Sequence, residues 1–241
     1  MREPARFTVR QARRKGELGR YRLRGSDVVL YLRHNTPDMN TLDQILLQGH
    51  YELPPPAAEA LARGGSPLEI LDLGAYVGVF AATVFKADRS ARIVCVEPDA
   101  ESAAVVRRSI DSNPGLAWEL VEACAATANG SVRFTSGLFT NSRVDDGGGD
   151  LVPAVDIFPL AERVAYLKLD IEGAEWPILA DPRFASLPAR VVALEYHEHL
   201  CPDPDPERLA RDRLQEAGYE IAEAELDFTP GHGMLWGWKR D

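Results

Sequence analysis

Leu71-Asp72-Leu73-Gly74-Ala75-Tyr76-Val77-Gly78-Val79-Phe80 reads as a buried apolar strand running into a glycine turn that opens a helix. Further on, a second apolar stretch ends in Val96-Glu97-Pro98-Asp99, so the next strand closes on an acid. Strand, glycine turn, helix and acid-tipped strand are the first half of an α/β nucleotide-binding unit. Glycine spacing then narrows the ligand. A dinucleotide turn needs a middle glycine so that the backbone can approach a pyrophosphate, and here Tyr76 fills that place. No P-loop Gly-Lys-Ser/Thr follows. A nucleoside without phosphates fits better, with Glu97 placed to accept hydrogen bonds from both ribose hydroxyls, and S-adenosylmethionine meets both conditions. The plainer alternative is a pair of helix-entry glycines and a solvated strand end.

With 241 residues the chain can bury a full core, leaving room for one α/β domain at 66–241 behind an N-terminal extension at 1–65. Its apolar stretches are too short to span a bilayer, and the first residues lead into arginines instead of a hydrophobic signal core, so a cytoplasmic protein without a membrane partner is expected. Cys95, Cys124 and Cys201 form no C-x-x-C pair and read as thiols. A formal net charge of -10 argues against a nucleic-acid partner. The charge is uneven, however: nine Arg or Lys and two acids fall in residues 1–24. Such a basic arm could contact an anionic substrate, an acyl-carrier phosphopantetheine or a neighbouring subunit in a homodimer, or be a solvated terminus.

Short β-like segments at Phe7 to Val9, Tyr21 to Leu23 and Val28 to Leu32 predict a small antiparallel extension. A helix is expected through Thr41 to Leu47, capped by Asn40 or Thr41, and a second from Ala57 to Arg63 once Pro54-Pro55-Pro56 is passed. Beyond Gly64 the patterns alternate. Strands are expected at Glu69 to Leu73, Arg92 to Val96, Trp118 to Val121, Tyr166 to Leu169, Arg190 to Leu194, Tyr219 to Ile221 and Met234 to Trp238. Helices follow near Gly78 to Lys86, Ala100 to Ile110, Ala174 to Leu179 and Glu207 to Ala217, which implies a mostly parallel seven-stranded sheet with helices on both faces. Val132 to Thr135 adds a short strand, and Asp145 to Asp150 is a candidate loop over the pocket.

Lys168-Leu169-Asp170-Ile171-Glu172-Gly173-Ala174-Glu175 puts acids where a strand ends and a glycine turns the chain into a helix, the ligand edge of an open α/β sheet. Lys168 and Asp170 share a strand face, so the ammonium can orient the carboxylate. Glu175 also suits the helix dipole, which leaves Asp170 and Glu172 as the better site candidates. Together, Asp72-Leu73-Gly74-Ala75-Tyr76-Val77-Gly78, Glu97-Pro98 and the K-x-D-x-E-G-x-E segment closely resemble the FkbM family of S-adenosylmethionine-dependent methyltransferases. The similarity runs from about Leu30 to His199 and includes Arg33 to Asp38 and Gly49-His50-Tyr51-Glu52. The resemblance implies a class I methyltransferase fold with its last strand antiparallel, and methyl transfer to a hydroxyl of a small molecule such as a secondary metabolite or sugar. It also implies that Gly74, Ala75 and Gly78 line the methionine and ribose, with Asp72, Tyr76 and Pro98 in the same motifs. Glu97 would hold the ribose diol, and Asp170 would face the sulfonium. The family often shows two acids ahead of the K-x-D strand, whereas this chain offers Asp156 alone.

Glu195-Tyr196-His197-Glu198-His199 ends the following strand, and a period of two sends Glu195, His197 and His199 to one face. His197 is the expected general base, suited by a near-neutral pKa, with Asp170 and Glu172 as its catalytic neighbours. A divalent metal on His197, His199 and a carboxylate is a less favoured reading, and satisfied or surface histidines a third. His34, His50 and His232 read as structural or substrate-lining. The functional alternatives are an NAD-dependent oxidoreductase, opposed by Tyr76, and a nucleoside-binding protein without turnover.

Overall fold

The computed structural model describes residues 16–135, 143–144, 149–224 and 232–240. Seven strands make the main sheet: β3 (Glu69–Leu73), β4 (Arg92–Val96), β5 (Ala117–Val121), β10 (Tyr166–Leu169), β11 (Val191–His197), β12 (Glu220–Glu223) and β13 (His232–Trp238). Their order is β12-β13-β11-β10-β3-β4-β5. Only β13 runs against its neighbours, being antiparallel to both β11 and β12. The chain reverses between β3 and β10, which opens a crevice beyond the carboxyl ends of both strands, where α/β sheets bind ligands.

The central strands are buried on both faces, which is why they read as near-continuous apolar runs. Alternate residues feed two cores. Ile70, Ile93, Tyr166 and Ala193 pack against α3 (Val79–Ala87) and the N-terminal elements. Leu71, Leu73, Leu167 and Leu194 pack against α5 (Ile157–Leu160), α6 (Glu175–Ala180) and α7 (Pro206–Glu216). Asp99 caps α4 (Ala100–Asp111) by accepting from the Ser102 amide at 2.9 Å.

β1 (Leu18–Arg22) and β2 (Val29–Arg33) form an antiparallel hairpin. Asn113, just past α4, fixes it by accepting from the Val29 amide at 2.9 Å and donating to the Val29 carbonyl at 2.7 Å. The segment Phe7 to Val9 lies outside the described residues. α1 (Asp38–Leu46) starts earlier than its expected Asn40 or Thr41 cap, with Pro37 at the cap position and no side-chain cap bond. α2 (Pro55–Ala62) takes in two of the three prolines expected to precede it, because a first-turn N–H has no intrahelical partner to lose.

A second, four-stranded sheet exceeds the single strand expected near Val132. It orders β6 (Cys124–Ala126), β9 (Asp150–Asp156), β7 (Gly130–Thr135) and β8 (Arg143–Val144) as β6-β9-β7-β8. Of the loop expected at Asp145 to Asp150, residues 145–148 lie outside the described residues, and Asp150 opens β9. Among the described residues, no helix is long and apolar enough to cross a membrane.

Candidate active site

At the crevice, the turn after β3 and the end of β10 touch through a missing side chain. Gly74 has φ +79°, and a Cβ there would lie 1.7 Å from the Asp170 carbonyl oxygen. The Gly74 and Ala75 amides both donate to the Val96 carbonyl, tying the turn to β4. Tyr76 takes the left-handed region without being glycine, at φ 49°. Two bonds hold it there: its amide donates to Glu97 Oε2 at 2.7 Å, and its hydroxyl donates to Asp38 Oδ1 at 2.7 Å. The Asp99 amide donates to the other Glu97 oxygen at 2.9 Å. Burial pushes the Glu97 carboxyl up to about 8, against the opposing pull of these two N–H donors.

Gly74, Ala75, Tyr76, Glu97 and Pro98 line one cavity of about 380 Å³, within the range of small-molecule sites. Asp72 and Gly78, expected among the cofactor contacts, are not in its lining. Asp72 is fully buried beneath the turn, and Gly78 begins α3 against the Trp118 ring. Across the β3/β10 pair, Asp72 stands in register with Lys168, whose ammonium lies 3.1 Å from Asp72 Oδ1 and 3.4 Å from Asp170 Oδ2. The same ammonium donates to the Gly74 carbonyl at 3.0 Å. Burial pulls Lys168 down, yet Asp72 and Asp170 outweigh it and hold the group above its ordinary value. The expected pairing of Lys168 with Asp170 is thus present, with Asp72 as a second partner.

Tyr51, which the sequence marks only as part of the Gly49 to Glu52 stretch of the family resemblance, lines the cavity. Its hydroxyl is 3.1 Å from Asp170 Oδ2 and 3.3 Å from Glu195 Oε2. Burial, reinforced by Asp170, pushes Glu195 up to about 8, while His197 and Lys168 oppose the shift.

His197 is 2% exposed and held from behind by the fully buried Glu175. Glu175 Oε1 accepts from the His197 amide at 2.8 Å and meets its Nδ1 at 3.2 Å, while Glu175 Oε2 accepts from the Gly173 amide at 2.8 Å. That fixes the ring and turns Nε2 toward Glu172 Oε2 at 3.7 Å and Glu195 Oε1 at 3.9 Å. Burial lowers the imidazole pKa, but Glu175 raises it by more, with help from Glu172 and Asp170, and it stands at about 9. The near-neutral value expected of a free general base is therefore not found. Glu172 sits at φ 54°, a strained conformation that turns its carboxylate into the same corner. One ligand atom each from Asp170, Glu172 and His197 lie within 4.8 Å of one another.

His199 does not join them. β11 ends at His197, so the period of two stops there, and the His199 backbone carbonyl instead accepts from Trp176 Nε1 at 3.3 Å. His232 and His50 line the cavity, His232 stacking edge-on against His197 at 5.0 Å, whereas His34 is fully buried and bonded to Tyr21. Asp156 caps α5 and pairs with Arg183 at 2.8 Å, outside the cavity lining. Further walls come from Pro37, Asn40, Thr41, Gln44 and Ile45 around α1, and from Cys124, Ala125 and Phe134 of the second sheet. Of these, Pro37 falls in the Arg33 to Asp38 stretch that the family resemblance takes in, and all five around α1 fall in the N-terminal extension expected to cover the pocket; the residues of the second sheet are brought there by topology.

The family model for the methyltransferase FkbM domain matches residues 72–221. No curated protein is similar enough in sequence to count as a match. Among solved structures, a precorrin-6y C5,15-methyltransferase from Geobacter metallireducens GS-15 is 16% identical with TM-score 0.46, covering 76% of this chain and 87% of its own. The bifunctional kinase-methyltransferase WbdD is 18% identical with TM-score 0.50, covering 86% of this chain and 40% of its own. At such identities the WbdD likeness speaks for the fold alone. Fold and motif agree: this chain is a methyltransferase with the class I fold, and it belongs to the FkbM family.

Proposed function

We propose that the protein transfers a methyl group from S-adenosylmethionine to a hydroxyl oxygen of a small molecule, a secondary metabolite or a sugar. The observation that carries this reading is that one cavity holds both a nucleoside-type wall, Gly74 to Tyr76 with Glu97 and Pro98, and a polar corner of Asp170, Glu172, Glu195 and His197. Glu97 retains a free lone pair on each oxygen for a ribose diol, since each has one backbone partner. Tyr76 lies where a pyrophosphate would approach, which disfavours a dinucleotide. Residues 1–65 then serve as extension and pocket cover, and residues 66–241 as the cofactor-binding domain.

Because the sulfonium already activates the methyl carbon, the protein's main task is to align acceptor oxygen, methyl carbon and sulfur, a term worth about 7–11 kcal/mol in favourable models. As the oxygen–carbon bond forms and the carbon–sulfur bond breaks, the hydroxyl proton leaves into the corner of Asp170, Glu172 and His197, with base or cation assistance. Calorimetric titration with S-adenosylhomocysteine and with NADH, on wild type and Glu97→Ala, tests the cofactor assignment. Micromolar S-adenosylhomocysteine binding that weakens in the variant supports it. Binding of NADH instead would move the protein to hydride chemistry, and tight cofactor binding without transfer to any of a panel of alcohols and sugars would favour a binding protein.

A further inference from the structure

We propose that Asn40, Thr41 and Gln44, on the cavity face of α1, bind the hydroxyls that flank the one to be methylated, so that the acceptor is a neutral, polyhydroxylated ring. The inference rests on the methyl-transfer reading above and narrows its acceptor. α1 shows two faces at helical spacing. Met39, Leu42 and Leu46 stand three and four residues apart and pack into the core of Ile70 and Tyr166. Pro37, Asn40, Thr41 and Gln44 keep the same spacing and line the cavity instead.

The chemistry of that second face differs from the other surface helices, which carry charge. α4 exposes Glu101, Arg107, Arg108 and Asp111, and α7 exposes Glu207, Arg208 and Glu216. Asn40, Thr41 and Gln44 bring none, yet each ends in a carboxamide or hydroxyl that both donates and accepts. Among the described residues these three groups make no hydrogen bond to the protein. Neighbours of the same type do: Thr36 donates to the Arg33 carbonyl, Thr83 to the Val79 carbonyl and Gln48 to the Asp43 carboxylate. A ring hydroxyl is likewise donor and acceptor, so the row matches neutral hydroxyls and offers no counter-charge to a carboxylate or phosphate. Position along α1 separates acceptor from cofactor. At its start, Asp38 accepts from the Tyr76 hydroxyl, which sets that end against the nucleoside-type wall. At its far end the Gln44 carbonyl accepts from the His50 amide at 3.1 Å, and Tyr51, next in sequence, reaches Asp170 and Glu195. Rising about 1.5 Å per residue, the row runs from the cofactor wall toward the polar corner.

Saturation-transfer NMR on the full chain tests this without turnover. The probes are neutral methyl pyranosides and, for contrast, cyclohexanol, each with and without saturating S-adenosylhomocysteine. Wild type should pass saturation to a pyranoside. Asn40→Leu and Gln44→Leu should each weaken that binding about 3- to 10-fold, the loss of one neutral hydrogen bond, with S-adenosylhomocysteine affinity as in wild type. Both side chains are exposed, so either variant should fold. Gln48→Ala, exposed and outside the cavity lining, should change neither affinity. Contact with cyclohexanol alone, or a pyranoside affinity unmoved by Gln44→Leu, would overturn the assignment. So would an equal loss of S-adenosylhomocysteine affinity in the variants, which would give the row to the cofactor. The two readings fail separately: S-adenosylhomocysteine binding without pyranoside contact removes this acceptor alone, and pyranoside contact without S-adenosylhomocysteine binding removes the cofactor assignment beneath it.

Discussion

Gly74 is the residue on which the crevice closes. At φ +79° and with the Asp170 carbonyl 1.7 Å from where a Cβ would stand, Gly74→Ala must move either the turn or the end of β10. Alanine at a positive φ with backbone in its way should cost more than about 2 kcal/mol, seen as a lower melting temperature together with loss of S-adenosylhomocysteine binding. Glu97 yields a different kind of prediction. In the free protein its carboxyl keeps a proton up to about 8 because burial outweighs its two N–H donors. A ribose diol donating to it favours the ionised form, so binding releases a proton. Affinity for S-adenosylhomocysteine should rise by up to about tenfold per pH unit below that value and level off above it. Calorimetry in buffers of different ionisation enthalpy reads the proton directly, and Glu97→Gln should abolish the slope; a flat profile in wild type would remove Glu97 from the ribose role. Tyr51→Phe deletes one hydroxyl shared by Asp170 and Glu195. It should change stability by only about 1 kcal/mol while lowering kcat more than it raises the KM for cofactor.

The helix α1 is tied to the glycine turn by a buried network. Arg33, at the end of β2, donates from Nη2 to Asp38 Oδ1 at 3.0 Å, and the Tyr76 hydroxyl donates to the same oxygen at 2.7 Å. Removing Asp38 leaves a guanidinium buried without its carboxylate, so Asp38→Ala should cost about 3–5 kcal/mol. Tyr76→Phe breaks only the link to the turn. Amide exchange in α1 should therefore quicken in Tyr76→Phe with the melting temperature little changed, and unchanged exchange would show that the link does not hold the helix. None of this is written in local pattern. Strands such as Glu69–Leu73, Arg92–Val96 and Tyr166–Leu169 are legible to the residue because each is an apolar run bounded by turn residues. The second sheet is not, since strands as short as Cys124–Ala126 and Arg143–Val144 acquire their identity only from distant partners. Within the site, Gly74, Glu97, Asp170, Glu172 and His197 stand in recognisable order along the sequence. The Glu175 to His197 contact and the reach of Tyr51 depend on how β10, β11 and the N-terminal segment pack, which spacing does not encode.

Taken whole, the molecule places the cavity where two cores and two sheets meet, so cofactor bound there should be felt far from it. S-adenosylhomocysteine at 100 times its Kd should stabilise the fold by about 2.7 kcal/mol, measurable as an upward shift in thermal unfolding that NADH at equal concentration does not produce. The family match begins at residue 72, whereas Pro37, Asn40, Thr41, Gln44, Ile45, His50 and Tyr51 precede it and line the same cavity. The polar corner and much of the wall facing it are thus carried by different stretches of the chain. Grafting a foreign 37–51 stretch onto an unchanged 72–221 segment, with Asp38 kept to hold Tyr76, would be a compact way to redirect such an enzyme toward a new acceptor. By the same token, two proteins alike over the matched segment need not share a substrate, because the part that would choose it can diversify separately from the part that would transform it.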